Sequence, residues 1–167
     1  VIWPPLFIQF RGFHVEHLQT NENENLEIQT LWGLPIKVAR DVAEQEFNRF
    51  CAEMDVDKNT DRMTADDSKE FNEMKGILLD ALQIGVLQID GEGLATVYPK
   101  KGTVKELKFN ELCGADYIAM DNKKDTQSFA KMFAIAGSLT KQPPATFSKL
   151  KKFDMKVCLT ITKLFLV

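Results

Sequence analysis

DVDKNTDRMTAD, residues 55 to 66, places oxygen-bearing side chains at alternate positions: Asp55, Asp57, Asn59 and Asp61, with Asp66 closing the window. That spacing begins a calcium loop. Such a loop also needs a glycine at its sixth position and a bidentate glutamate at its twelfth. Thr60 and Asp66 stand there instead, and Arg62 adds a positive charge among the ligands. No second loop follows. The competing reading is a polar connection whose acids help to start the next helix. HVEH, residues 14 to 17, sets two histidines three apart, but no third ligand accompanies them, and the H-x-E deaminase pattern lacks its P-C-x-x-C partner. GEG, residues 91 to 93, lacks the G-K-[ST] end of a phosphate loop and reads as a tight turn.

Nucleophilic catalysis finds no better footing. Cys51, Cys113 and Cys158 fall in apolar or helix-adjacent settings, and no histidine lies beyond residue 17 to act as a base. The three cysteines are widely spaced and never form C-x-x-C, which argues against a disulfide framework or a zinc knuckle. A reducing compartment suits them. No cofactor is expected, and a non-enzymatic role is.

The elements that would position any site follow from periodicity. Val38, Val42, Phe47, Phe50 and Met54 recur at helical spacing, so a helix is expected from Pro35 to Met54. Thr64 and Asp67 form a capping box for a second helix, whose stripe is Phe71, Met74, Leu78, Ala81 and Leu82 and whose end is Gly85. VLQID and LATVYP, residues 86–90 and 94–99, read as a hairpin around GEG, and TVKELKF from Thr103 as a third strand. A short helix over Ala115 to Met120 enters through Gly114. Asp125 or Thr126 can cap the next, which runs to about Leu139. QPP, residues 142–144, stops it, and a last helix starts near Phe153 with apolar residues almost all round.

The fold class expected is therefore α+β and mainly helical: an N-terminal helix pair over 35–85, then a small antiparallel hairpin or three-strand sheet and a C-terminal helical bundle over 86–167. The two parts are expected to form one compact unit. Residues 1–34 read as an irregular leader. The chain starts at Val1, and VIWPPLFIQF and NENEN show no sustained period, so this stretch reads as non-native upstream sequence or as an arm that docks on a partner.

With 44% hydrophobic residues in 167, the chain can bury a core. A net charge of -3 gives no overall attraction to nucleic acid. Lys149, Lys151 and Lys152 cluster, and are read as a solvated helix end. No apolar run reaches the length of a membrane span. What stands out is apolar surface: Phe129, Met132, Phe133, Phe147, Met155, Leu164, Phe165 and Leu166 are more than a small helical subdomain easily hides. Such stripes mark partner binding, and methionine suits varied helices. The alternative is an ordinary core.

LKFNELCGADYIAMDNKKD, followed by FAKMFAIAGSLTKQPPATFSKLKKFDMKVCLTITKLFL, resembles the tail assembly chaperones of tailed bacteriophages. The matching positions are Gly114, Ala115, Asp116, Met120, Asp121, Ala136, Leu139, Thr140, Pro143, Leu150 and Asp154, within residues 86–167. The helical pair at 35–84 is an addition to the layout of the family's small members. The resemblance implies a protein of the bacterial cytoplasm that covers the hydrophobic tape-measure protein before tube subunits polymerise, and then leaves. It also allows a longer form made by translational frameshifting. Phe129, Met132, Phe133, Phe147, Leu164 and Phe165 are then the expected contact face. Asp116, Asp121 and Asp154 are expected to cap or fix helix junctions. Two other readings stand beside it. One is a phage structural or head–tail completion subunit that uses the last helix as a homo-oligomer seam. The other is a calcium-binding module at residues 55–66.

Overall fold

The computed structural model describes residues 30–121, 123 and 128–166. HVEH, most of the leader and the Asp125/Thr126 cap lie outside these residues. The fold is α+β and mainly helical, with six α-helices, a two-stranded sheet and a three-stranded sheet among the described residues. No helix there is long and apolar enough to cross a membrane.

The described residues begin with a hairpin, at the end of the stretch expected to be an irregular leader, that the periodicity did not reveal. β1 (Thr30–Leu31) pairs antiparallel with β2 (Leu34–Pro35) across Trp32 and Gly33, which take φ of 56° and 73°. Positive φ at both central residues matches the twist of flanking strands in a two-residue turn. Pro35 is tolerated because each strand of this pair is an edge. Helix α1 (Arg40–Glu53) thus begins later than Pro35. It ends where Asp55 adopts φ 53° and the Val56 N–H donates to the Cys51 carbonyl. That left-handed residue with a bond back across the last turn is a Schellman end.

A 3-10 turn (Thr60–Arg62) leads to α2 (Ala65–Gln83). The Asp67 N–H donates to Thr64 Oγ1 (3.2 Å), and the Thr64 hydroxyl donates to Asp67 Oδ2 (2.7 Å). Gly85, at φ 71°, closes α2 with Val86 N–H to the Ala81 carbonyl and its own N–H to Leu82. The three-stranded sheet follows in the order β3 (Leu87–Ile89), β4 (Ala95–Val97), β5 (Leu107–Lys108), antiparallel throughout. The Arg49 guanidinium on α1 donates to the carbonyls of Ile89 and Asp90, tying the first helix to the hairpin.

Helices α3 (Gly114–Asp121), α4 (Ser128–Thr140), the single turn α5 (Ala145–Ser148) and α6 (Lys152–Leu164) complete the chain. One core joins all parts: Phe47 and Phe50 of α1, Leu78 of α2, Val97 of β4, Ile135 of α4 and Ile161 of α6 are all essentially buried. Residues 35–85 therefore share their hydrophobic interior with the rest.

At the end of α4, Lys141 takes φ 53° and Gln142 N–H donates to the Gly137 carbonyl. A Cβ on Gly137 would stand 2.7 Å from the Gln142 carbonyl oxygen and 3.3 Å from Pro144 N. The turn before Pro143 and Pro144 closes against this bare Cα. Gly137→Ala should lower stability by about 1–2 kcal/mol despite its gain in helix propensity, because the clash is with backbone. Gly76→Ala in the middle of α2 meets nothing within 4 Å and should raise stability by up to about 1 kcal/mol. Urea midpoints of the two variants check both signs.

Candidate partner-binding groove

Helices α4 and α6 pack together along their buried faces, Ile135, Ala136 and Leu139 on one and Val157, Cys158 and Ile161 on the other. Their outer edges diverge and leave a groove of about 530 Å³. Met132 of α4 and Met155 and Leu159 of α6 form its apolar floor, and Phe129 of α4 lines its mouth. Phe129 is 65% exposed, the most open large apolar side chain among the described residues. Lys152, Lys156 and Lys163 stand along the α6 rim. Lys163 pairs with Glu70 of α2, and the Lys156 ammonium sits 5.4 Å from the centre of the Trp32 ring.

The six residues expected to face a partner divide by position. Phe129 and Met132 line the groove. Phe133 is half-buried behind them, 6.3 Å from the Phe129 ring and stacked on Phe147 at 6.1 Å. Phe147 and Leu164 are core residues, 0% and 1% exposed, and offer nothing to a second chain. Phe165 leans edge-on against Phe50 at 5.8 Å and lines a separate cavity near Met54 and Leu112. Leu159 escaped the sequence reading, because α6 read as apolar all round. The usable signal was the lysine stripe at 152, 156 and 163, which marks the solvent side of that helix.

Two of the candidate ligands in residues 55–66, Asp57 and Asn59, each spend one side-chain oxygen on the chain itself. Asp57 Oδ1 accepts from the Asn59 N–H (2.8 Å), and Asn59 Oδ1 from the Asp61 N–H (3.1 Å). Asp55 is the residue that ends α1, and Asp66 lies exposed in the first turn of α2. Among the described residues no group of three or more His, Cys, Asp or Glu side chains is placed to hold a metal ion. Burial pushes the Cys51 thiol up to about 12 and raises that of Cys158 as well, so neither is a thiolate at neutral pH. Cys113 is exposed.

Two acids of the resemblance hold helix junctions. Asp116 accepts from the Cys113 N–H (2.7 Å) and the Ser138 hydroxyl (2.5 Å), locking the start of α3 to α4. Asp154, 3% exposed, accepts from the Lys100 N–H at 3.4 Å and joins α6 to the loop after β4. Burial acts upward on both carboxyls, with different outcomes. At Asp116 the bonds from Ser138 and Cys113 outweigh burial, so its carboxyl sits below the ordinary value. At Asp154 burial prevails over the amides of Lys100 and Lys101, and the carboxyl sits above it.

Asp116 thus stabilises the fold in its charged form. The contribution is complete above the usual carboxylate pKa of about 4 and is lost as pH falls through the lowered folded value. Asp116→Ala should cost about 2 kcal/mol at pH 7, since it strands a backbone N–H and a hydroxyl. The gap between the urea midpoints of the two proteins should narrow below about pH 4.

Comparisons with protein-family models, with curated proteins and with solved structures find no match to this chain.

Proposed function

We propose that this chain is a non-enzymatic chaperone that covers an apolar helical segment of a partner during assembly. The partner is a tape-measure-like tail protein, and the setting is the bacterial cytoplasm during phage or prophage tail assembly. The observation that carries this reading is the α4–α6 groove with Phe129 standing open at its mouth. A helix laid in such a groove inserts side chains at i, i+3, i+4 and i+7. Met132 and Met155 can repack around successive, unlike segments, as a long and variable helical client requires. An exposed client helix of that kind aggregates unless covered. The likeness of residues 86–167 to tail assembly chaperones adds support, and Asp116 and Asp154, two of its positions, set the orientation of α3, α4 and α6.

Co-expression with a tape-measure protein tests it. The chaperone reading expects the tape measure to stay in the soluble fraction, to copurify with this chain, and to leave it behind in finished tails. Retention of this chain in the finished particle would favour a structural subunit instead.

A further inference from the structure

A second cavity, of about 610 Å³, opens where α6 begins. Lys100 and Lys101 approach it from the loop after β4, and Lys151 and Lys152 from the start of α6. Trp32 and Phe153 supply an aromatic wall, their ring centres 4.8 Å apart. Trp32 is held there by its indole N–H, which donates to Asp80 at 3.1 Å. All four lysines are exposed, and among the described residues none of them joins an ion pair. The one carboxylate lining the cavity, Asp154, is buried and bonded to the Lys100 N–H. The positive end of the α6 dipole points the same way.

This cavity adjoins the apolar groove. Lys152 lines both. Lys156, on the groove rim, stands over the ring of Trp32, which forms the wall of the second cavity. We propose that the basic pocket at the start of α6 seats acidic side chains at one end of the same partner helix whose apolar face fills the α4–α6 groove. This rests on the groove reading above. It adds to that reading a partner chemistry and a direction: an amphipathic helix with an acidic run at one end, laid so that the run meets Lys100, Lys101, Lys151 and Lys152. Charge complementarity carries the choice of occupant. An apolar helix alone would leave these ammonium groups beside it with only the Asp154 carboxylate, which already acts on Lys100, whereas an acidic run answers the rest and fixes which way the helix lies.

Three designed amphipathic peptides of about twenty residues test this, identical in their Leu/Phe face and ending in four Glu, four Gln or four Lys. Fluorescence anisotropy should give the Glu peptide about tenfold tighter binding than the Gln peptide at low salt, with the Lys peptide weakest. The advantage should fade toward 1 M salt, where the Debye length is about 3 Å. Lys101→Glu with Lys151→Glu should abolish the advantage and leave the Gln peptide's affinity unchanged. Lys101→Gln with Lys151→Gln should reduce it partway, and circular dichroism should show both variants folded. Equal binding of the Glu and Gln peptides would overturn the inference and leave the groove reading standing. Binding of none of the three would overturn both. A single-stranded oligothymidylate that binds more tightly than the Glu peptide at the same salt would also overturn it, in favour of nucleic acid.

Discussion

Phe129→Asp should weaken binding of an amphipathic helix at least about 30-fold while leaving the fold intact. The loss corresponds to about 2 kcal/mol or more, the scale of an aromatic anchor removed from the centre of an interface. Phe129 is 65% exposed, so the free protein gains little from it and has little to lose. A carboxylate there does more than delete contacts. It places a charge against the apolar floor of Met132, Met155 and Leu159, where a docked helix would strip its water. Val42→Asp is the matched control: Val42 is 43% exposed on α1, away from the groove, and its substitution should change affinity less than twofold. Peptide titration of the three proteins, with urea curves beside them, separates the readings. Equal affinities for all three would remove Phe129 from the interface.

Phe147→Ala should have the opposite profile, with a stability loss of about 3–5 kcal/mol. Phe147 is fully buried, stacks on Phe133, and is the main anchor of a helix only four residues long. That single turn is held otherwise by a few i to i+3 backbone bonds, Thr146 N–H to Pro143, Phe147 N–H to Pro144, Lys149 N–H to Thr146 and Leu150 N–H to Phe147, and its departure would open the core between α4 and α6. A loss of this size is a large part of the stability of an ordinary domain. A urea midpoint close to wild type would mean that Phe147 is not the core residue its burial indicates.

The contrast between these two phenylalanines locates what could be read from the residues. Helix α2 was legible because its signals are local: Thr64 and Asp67 at the start, Gly85 at the end, and an apolar stripe between. The same holds for the hairpin around GEG and the stop at QPP. Residue type alone could not sort Phe129 from Phe147, or Leu159 from Leu164. Which apolar side of α6 faces inward is decided by α2, α4 and β4 packing on it, and those are contacts between distant parts of the chain. The β1–β2 hairpin was missed because a tryptophan at positive φ is an uncommon turn residue. Asp55 was read for its carboxylate, whereas its structural work is done by its backbone angle.

Lys149, Lys151 and Lys152 are exposed just before and at the start of α6, as a solvated helix end requires. The place of Lys151 and Lys152 beside Lys100, Lys101 and Trp32 depends on a loop some fifty residues earlier coming to the start of α6. Asp154 makes that junction. Its carboxyl is buried, and burial raises its pKa, so the geometry of the basic pocket and the packing of α6 are joined at one side chain.

The most direct measurement of the central claim is photo-cross-linking of a diazirine-leucine amphipathic peptide to the intact protein, with the adducts located by mass spectrometry. The groove account expects adducts on Phe129, Met132, Met155 and Leu159, all lost in Phe129→Asp. Adducts concentrated on the α1 face around Val42, or spread evenly over the surface, would contradict it.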